Sequence, residues 1–227
     1  MPKQSLLFFH RWLKSPFSIG AIAPSSRHLA KRMAELTPRD SRLPVVELGG
    51  GTGVVTDALL AAIGPERLIV VERDPRLYGF LVERYPQVRI LKGDAAELSR
   101  LLEAHGVRKA AAVVSGLPLL AMPKPVQHAI VREAVAVLAE GAPFIQFTYG
   151  FFSPVERELH GLEGKRIDRV YRNLPPASIW LYRRAKGEAE TRASELAARV
   201  EDRISRESAR ADPWPRKRAQ GRRQSRA

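Results

Sequence analysis

The sequence predicts an α/β protein built on a doubly wound, mostly parallel sheet of seven strands with an antiparallel ending. Three observations predict it. Short apolar runs alternate with longer amphipathic segments from residue 44 to about 150. A glycine-rich turn, "ELGGGTG", joins the first such run to the helix that follows. After residue 150 the rhythm changes to two basic strands, "KRIDRVYRN" and "ASIWLYRR", joined by Leu174-Pro175-Pro176. Strand and helix in alternation imply a parallel sheet covered on both faces.

The elements follow in order. Residues 3–14, "KQSLLFFHRWLK", place Leu6, Phe8, Phe9, Trp12 and Leu13 on one face of a helical wheel. Lys3, Gln4, His10, Arg11 and Lys14 fall opposite, with Leu7 the misfit. Aromatics on one face and Lys and Arg on the other describe a helix lying in a bilayer interface. Phe8, Phe9, Arg11, Trp12, Leu13 and Lys14 are therefore expected to bind anionic lipid; the alternative is that this face packs on the domain. Next, Pro24 precedes Ser25 and Ser26, either of which caps a helix running to about Leu36. That helix is placed to act as a lid over a ligand held by the following turn.

The predicted parallel strands span 44–48, 68–72, 88–91, 110–115 and 142–149. Helices are predicted at 53–63, 75–85, 95–105 and 124–139, with Gly64, Gly106 and Gly141 as stops. Residues 186–210 are helix-prone with a thin apolar stripe and belong on the surface. The expected organisation is a membrane helix and lid over 1–36, the main domain over 37–184, a surface helix over 185–211 and a basic tail over 212–227.

Composition narrows the chemistry. The 227 residues suffice for one full-sized domain. There are no cysteines, which excludes disulfides, thiol nucleophiles and thiolate metal sites, and the five histidines never fall at metal-ligand spacing. No metal is expected. The net charge of +14 suggests an anionic partner, but residues 213–227 hold six of the basic residues and no acid, leaving +8 for the rest. The run "AAAVVSGLPLLAMP" is too short and broken to span a bilayer, and the N-terminus lacks a secretory cleavage pattern.

The turn itself is selective. Gly49, Gly50, Gly51 and Gly53 let the chain bend tightly and approach a ligand, and Thr52 is expected to cap the next helix. The dinucleotide pattern G-x-G-x-x-G fails, since its third glycine falls on Val54 or Thr56. The P-loop fails too, for want of a lysine. What remains is E-x-G-x-G-x-G with Glu47 at the strand end, the pattern expected for S-adenosylmethionine. Ligands of such sheets sit at the carboxyl ends of the strands, so the other strand ends read as a set. Glu72, followed by Arg73, is expected to accept the ribose hydroxyls, and Asp94, with Ala95, the adenine amine. Ser115-Gly116-Leu117-Pro118 faces the reactive end.

Together "SIGAIAPSS", "VVELGGGTGVVTDALL", "VVERDP", "GDAAEL", "VVSGLPLL", "IQFTYG" and "RNLPPASIWLYRR" resemble the bacterial phospholipid N-methyltransferases, themselves similar to the rRNA adenine dimethyltransferases. The resemblance covers roughly residues 15–184. It implies the Rossmann-like fold of class I S-adenosylmethionine-dependent methyltransferases. It also implies methylation of phosphatidylethanolamine, in up to three rounds toward phosphatidylcholine, with S-adenosylhomocysteine as the other product. The expected setting is a monomer, peripheral on the inner face of a bacterial cell membrane.

Two rivals are weaker. Adenine-N6 enzymes end the fourth strand in Asn-x-Pro-aromatic, which holds a flipped base; here the place reads Ser115-Gly116-Leu117-Pro118-Leu119, without amide or ring. An aliphatic edge at Leu119 and Leu120 suits an acyl chain, and Leu117 is expected to contact the substrate. A catalytically inactive membrane- or RNA-tethering protein is argued against by the intact cofactor motifs. For the chemistry, Ser115 and Tyr149 are the candidates for holding the substrate amine, and Arg172 with Asn173 for the lipid phosphate.

Overall fold

The computed structural model describes residues 24–171, 176–185 and 200, with side chains from Arg27 onward. The expected membrane residues Phe8, Phe9, Arg11, Trp12, Leu13 and Lys14, the pair Arg172 and Asn173, nearly all of the helix-prone 186–210 and the basic tail lie outside the described residues.

Helix α1 (Pro24–Ala34) leads into strand β1 (Val45–Leu48) and, through the glycine turn, helix α2 (Val54–Ile63). Then come β2 (Leu68–Glu72), α3 (Pro75–Arg84), β3 (Arg89–Lys92), α4 (Leu98–Ala104), β4 (Ala112–Ser115), α5 (Lys124–Val137) and β5 (Phe144–Thr148). Two long strands, β6 (Leu162–Val170) and β7 (Ala177–Arg184), close the sheet. The seven strands lie in the order β3-β2-β1-β4-β5-β7-β6. The first five are parallel; β7 runs antiparallel between β5 and β6. This is the doubly wound sheet with an antiparallel ending, and its order reverses between β1 and β4.

Every residue of β1, β2 and β4 is buried, as expected where helices cover both faces. Alternation along each strand divides the core into two layers. Leu48, Val71, Val113 and Phe144 pack with Leu98, Leu102, Ile130 and Val131 of α4 and α5. Val45, Val70, Val114 and Ile145 pack with Met33, Leu59 and Leu81 of α1, α2 and α3.

Some boundaries differ from the sequence reading. The α1 helix starts at Pro24, putting Ser25 and Ser26 inside its first turn rather than before it. The helix expected over 95–105 divides: Asp94 accepts the Ala96 N–H and winds Ala95–Glu97 into a 3₁₀ turn before α4 begins. Ala110 makes only an isolated parallel bridge to Leu138, so β4 is shorter than the apolar run 110–115.

Candidate active site

The site forms where the strand order reverses. Leu48 of β1 and Ser115 of β4 are register partners. Main-chain bonds continue the sheet past its strand ends: Gly116 N–H donates to the Leu48 carbonyl at 2.9 Å, Gly49 N–H to Val71 at 2.9 Å and Gly93 N–H to Glu72 at 3.1 Å. The glycine turn, the ends of β2 and β3, and Ser115–Leu117 therefore share one end of the sheet, where ligands of this architecture bind.

The turn needs its glycines. Gly49, Gly51 and Gly53 have φ of 76°, 56° and 85°, a region other residues rarely adopt. A Cβ on Gly49 would lie 2.6 Å from Leu117 Cδ2, and one on Gly53 2.3 Å from the Tyr85 hydroxyl. That hydroxyl sits 2.9 Å from the Gly53 carbonyl and 2.7 Å from the Asp57 carboxylate, bracing the turn from α3. Thr52 does not cap α2. Gly53 holds the N-cap position in the left-handed conformation with no side-chain bond. The turn closes through its main chain instead: Gly53 N–H donates to Gly50 at 2.9 Å, and the Gly53 carbonyl accepts from Asp57 at 2.8 Å.

Two buried acids flank the turn. Glu47 is fully buried; its Oε2 accepts the Thr56 hydroxyl at 2.7 Å while Oε1 has no partner. Burial pushes its carboxyl up to about 8, against the Thr56 bond and with help from the charges of Glu72 and Asp57. Glu72, 8% exposed, accepts Gly51 N–H at 3.0 Å on one oxygen and Asp74 N–H at 2.9 Å on the other. Each carboxylate oxygen has a second lone pair. Glu72 can thus shape the turn and still accept from a diol.

The remaining expected residues take varied places. Arg73 and Asp94 form an ion pair at 3.1 Å on the rim, Arg73 largely exposed, and Ala95 lies buried beside Asp94. Ser115 is fully buried and its hydroxyl accepts Leu117 N–H at 3.3 Å. Leu117 packs on the layer facing α4 and α5, whereas Tyr149, just past β5, packs on the layer facing α1–α3. The Tyr149 ring stands edge-on to Phe147 with centroids 5.6 Å apart. Sequence reasoning missed Gln146, the register partner of Ser115. Its buried Nε2 donates to the Leu117 carbonyl at 2.9 Å and to Phe147 at 2.7 Å, and its Oε1 has no partner. A lone amide inside the apolar strand "APFIQFTY" was the available signal.

The residues present fit S-adenosylmethionine. A positive-φ turn, a carboxylate that can accept a diol, and the unpaired buried oxygens of Glu47 and Gln146 supply a nucleoside cradle with polar groups left to satisfy. Among the described residues no group of side chains could hold a metal ion, and no helix is long and apolar enough to cross a membrane.

No protein-family model matches the chain. Ornithine lipid N-methyltransferase of Singulisphaera acidiphila is 33% identical over 190 residues, covering 81% of this chain and 98% of that protein. Ribosomal RNA small subunit methyltransferase A of Rhodopseudomonas palustris is 39% identical over 95 residues, 40% of this chain and 32% of that protein. Among solved structures, an N-methyltransferase from Bradyrhizobium japonicum superposes with a TM-score of 0.59 at 15% identity, over 73% of this chain and 99% of that one. The magnesium protoporphyrin IX methyltransferase of Synechocystis, solved with its methyl donor bound, gives 0.56 at 14% identity over 71% and 80%. The structures share the class I methyltransferase fold. With a relative matched across nearly its whole length, the chain is an S-adenosylmethionine-dependent methyltransferase and belongs to the lipid N-methyltransferase family.

Proposed function

We propose that this enzyme transfers a methyl group to the primary amine of a zwitterionic membrane lipid, with phosphatidylethanolamine as acceptor and successive rounds leading toward phosphatidylcholine. The observation that carries the lipid reading is the 33% identity to a protein named for lipid N-methylation, along 98% of its length. The partly exposed side chains of Leu117, beside the glycine turn, and Leu120 support it, whereas Leu119, expected on the same edge, is 1% exposed and packs into the core instead.

In this reading the turn at Gly49–Gly53 and the Glu72 carboxylate hold the nucleoside, with Arg73, Asp94 and Ala95 at its adenine side. The bound cofactor supplies an electrophilic methyl on a sulfonium. The substrate amine, with an ordinary pKa near lysine's of about 10.4, must give a proton to water before its lone pair can attack the methyl carbon. The buried surroundings of Ser115, Gln146 and Leu119 disfavour the charged ammonium. Ser115 and Tyr149 orient the amine, and Gln146 sets the Leu117 carbonyl beside it. Catalysis is then largely positioning. Arg172 and Asn173 hold the headgroup phosphate, and the helix bearing Phe8, Phe9, Arg11, Trp12, Leu13 and Lys14 recruits the monomer to the inner face of the membrane.

Ornithine lipid is the second reading, favoured by the name of the same relative; it too pairs a primary amine with an anionic group. Adenine in RNA is disfavoured, since the β4 end lacks an aromatic and an amide and the rRNA enzyme matches over only 32% of its length. The test is incubation with labelled S-adenosylmethionine and vesicles of either lipid, or RNA. Label in phosphatidylethanolamine supports the proposal. Label only in ornithine lipid changes the acceptor, and label only in RNA overturns the lipid reading.

A further inference from the structure

Three aromatic side chains stand out on the described surface. Phe151 is 65% exposed, Phe152 78% and Tyr171 75%. They come from two segments, one after β5 and one after β6, and Arg169 draws Phe151 and Tyr171 together, with Phe152 next to Phe151 in the chain. Its guanidinium lies 3.8 Å from the Phe151 ring centroid and 5.6 Å from that of Tyr171, and it donates to the Ser178 hydroxyl at 3.4 Å. Ser178 in turn donates to the Gly150 carbonyl at 3.1 Å. The patch is thus tied to the sheet rather than hung on a loose loop.

Its position is as telling as its composition. Thr148 of β5 pairs with Ser178 of β7, and Ser178 pairs with Arg169 of β6. This row crosses the sheet at the carboxyl end of β5, the end that carries Ser115 and the glycine turn. A Cβ on Gly150 would come 3.5 Å from Leu120 Cδ1, so the patch adjoins the aliphatic edge of the candidate site. Beside it β6 presents exposed Lys165, Arg166 and Ile167, while the acid of that stretch, Asp168, is held by Arg32 at 3.0 Å. Basic residues on an edge strand also deter pairing with other sheets, which accounts for Lys165 and Arg166 but not for three rings in water. Aromatic rings interleaved with Lys and Arg are the composition that settles at a lipid headgroup boundary.

We propose that Phe151, Phe152 and Tyr171, with Arg169 between Phe151 and Tyr171, form a rim that inserts into an anionic bilayer and sets the mouth of the site against it. The inference rests on the lipid-methylating reading and deepens it. An acceptor lipid then passes from the bilayer along Phe152 and Gly150 to Leu120 and Ser115.

The absence of cysteine permits a single-site probe. Phe152→Cys carrying an environment-sensitive fluorophore is mixed with phosphatidylethanolamine–phosphatidylglycerol vesicles, with Glu103→Cys on the opposite end of the sheet as control. The emission at 152 should shift to the blue and be quenched by brominated acyl chains, while that at 103 stays water-like. Phe151→Ser/Phe152→Ser should lower the vesicle partition coefficient about tenfold or more, given the apolar area withdrawn from the interface. Its affinity for S-adenosylmethionine in solution should match the wild type, which excludes misfolding as the cause. A water-like signal at 152 on protein that nevertheless sediments with vesicles overturns the rim while leaving lipid methylation intact. A blue shift at high protein concentration without vesicles also overturns it, assigning the patch to a second copy. Insertion at 152 with no methyl transfer to any lipid supports the rim and sinks the functional reading instead.

Discussion

Replacing Glu47 by Gln should remove a pH-dependent loss of stability that the wild type carries. The carboxyl is fully buried, and burial raises it from 4.5 to about 8. Between those values the folded protein keeps a proton that the unfolded chain has already lost. Stability therefore falls as pH rises through this window, and the loss is complete above about 8. A displacement of that size corresponds to something on the order of 5 kcal/mol, a large share of the roughly 5–15 kcal/mol that holds a typical domain. Glutamine keeps an oxygen to accept the Thr56 hydroxyl, which lies 2.7 Å from the carboxylate now, but it cannot ionise. Urea unfolding of both proteins without cofactor at pH 5 and pH 9 isolates the effect, because every other titrating group is common to the two. The wild type should lose several kcal/mol more than the variant across that interval, equivalent to roughly 10–20 °C in Tm for a chain of this size. Parallel pH profiles would refute the reasoning and mean that Glu47 reaches solvent.

Further outcomes follow from neighbouring residues. Glu72→Ala removes the acceptor of Gly51 and Asp74 and a charge-assisted partner for a diol; calorimetry should find S-adenosylmethionine affinity lowered by about tenfold or more, and unchanged affinity in a folded variant would take Glu72 out of the site. Gln146→Leu leaves the Leu117 carbonyl without its 2.9 Å donor. Turnover should fall while cofactor affinity stays close to wild type, and the reverse pattern would make Gln146 a cofactor residue. His160, lowered to about 4 by burial and by His128, stays neutral in the folded protein at pH values where the unfolded chain protonates it. That stability is lost as pH falls from 6.5 through about 4, so His160→Gln should flatten the acid limb of the unfolding curve.

The local chain already determined much of this protein. The strand expected at 68–72 is β2 residue for residue, because a short β-branched run between a proline-led turn and Asp74-Pro75 has no room to be a helix. The stops at Gly64, Gly106 and Gly141 all adopt positive φ, of 76°, 75° and 69°, a preference written into glycine itself. The spacing of Gly49, Gly51 and Gly53 likewise announced a ligand turn, since its geometry depends on residues within a few positions of one another.

Tertiary structure decided the rest. Whether Thr52 or main-chain bonds would close the turn depended on Tyr85, 32 residues away, bracing the Gly53 carbonyl. Gln146 acquired its role only when β5 came into register beside Ser115 and met the Leu117 carbonyl. Glu47 reads as an ordinary strand-end acid until helices cover both faces of β1 and remove the water that would hold its charge. Phe151 and Tyr171, distant in sequence, share one exposed surface because β7 pairs between β5 and β6. Periodicity and backbone preference act over a few residues and are legible in the chain. Burial, register and the electric environment of a side chain come from segments far apart in it, and they exist only once the sheet has formed.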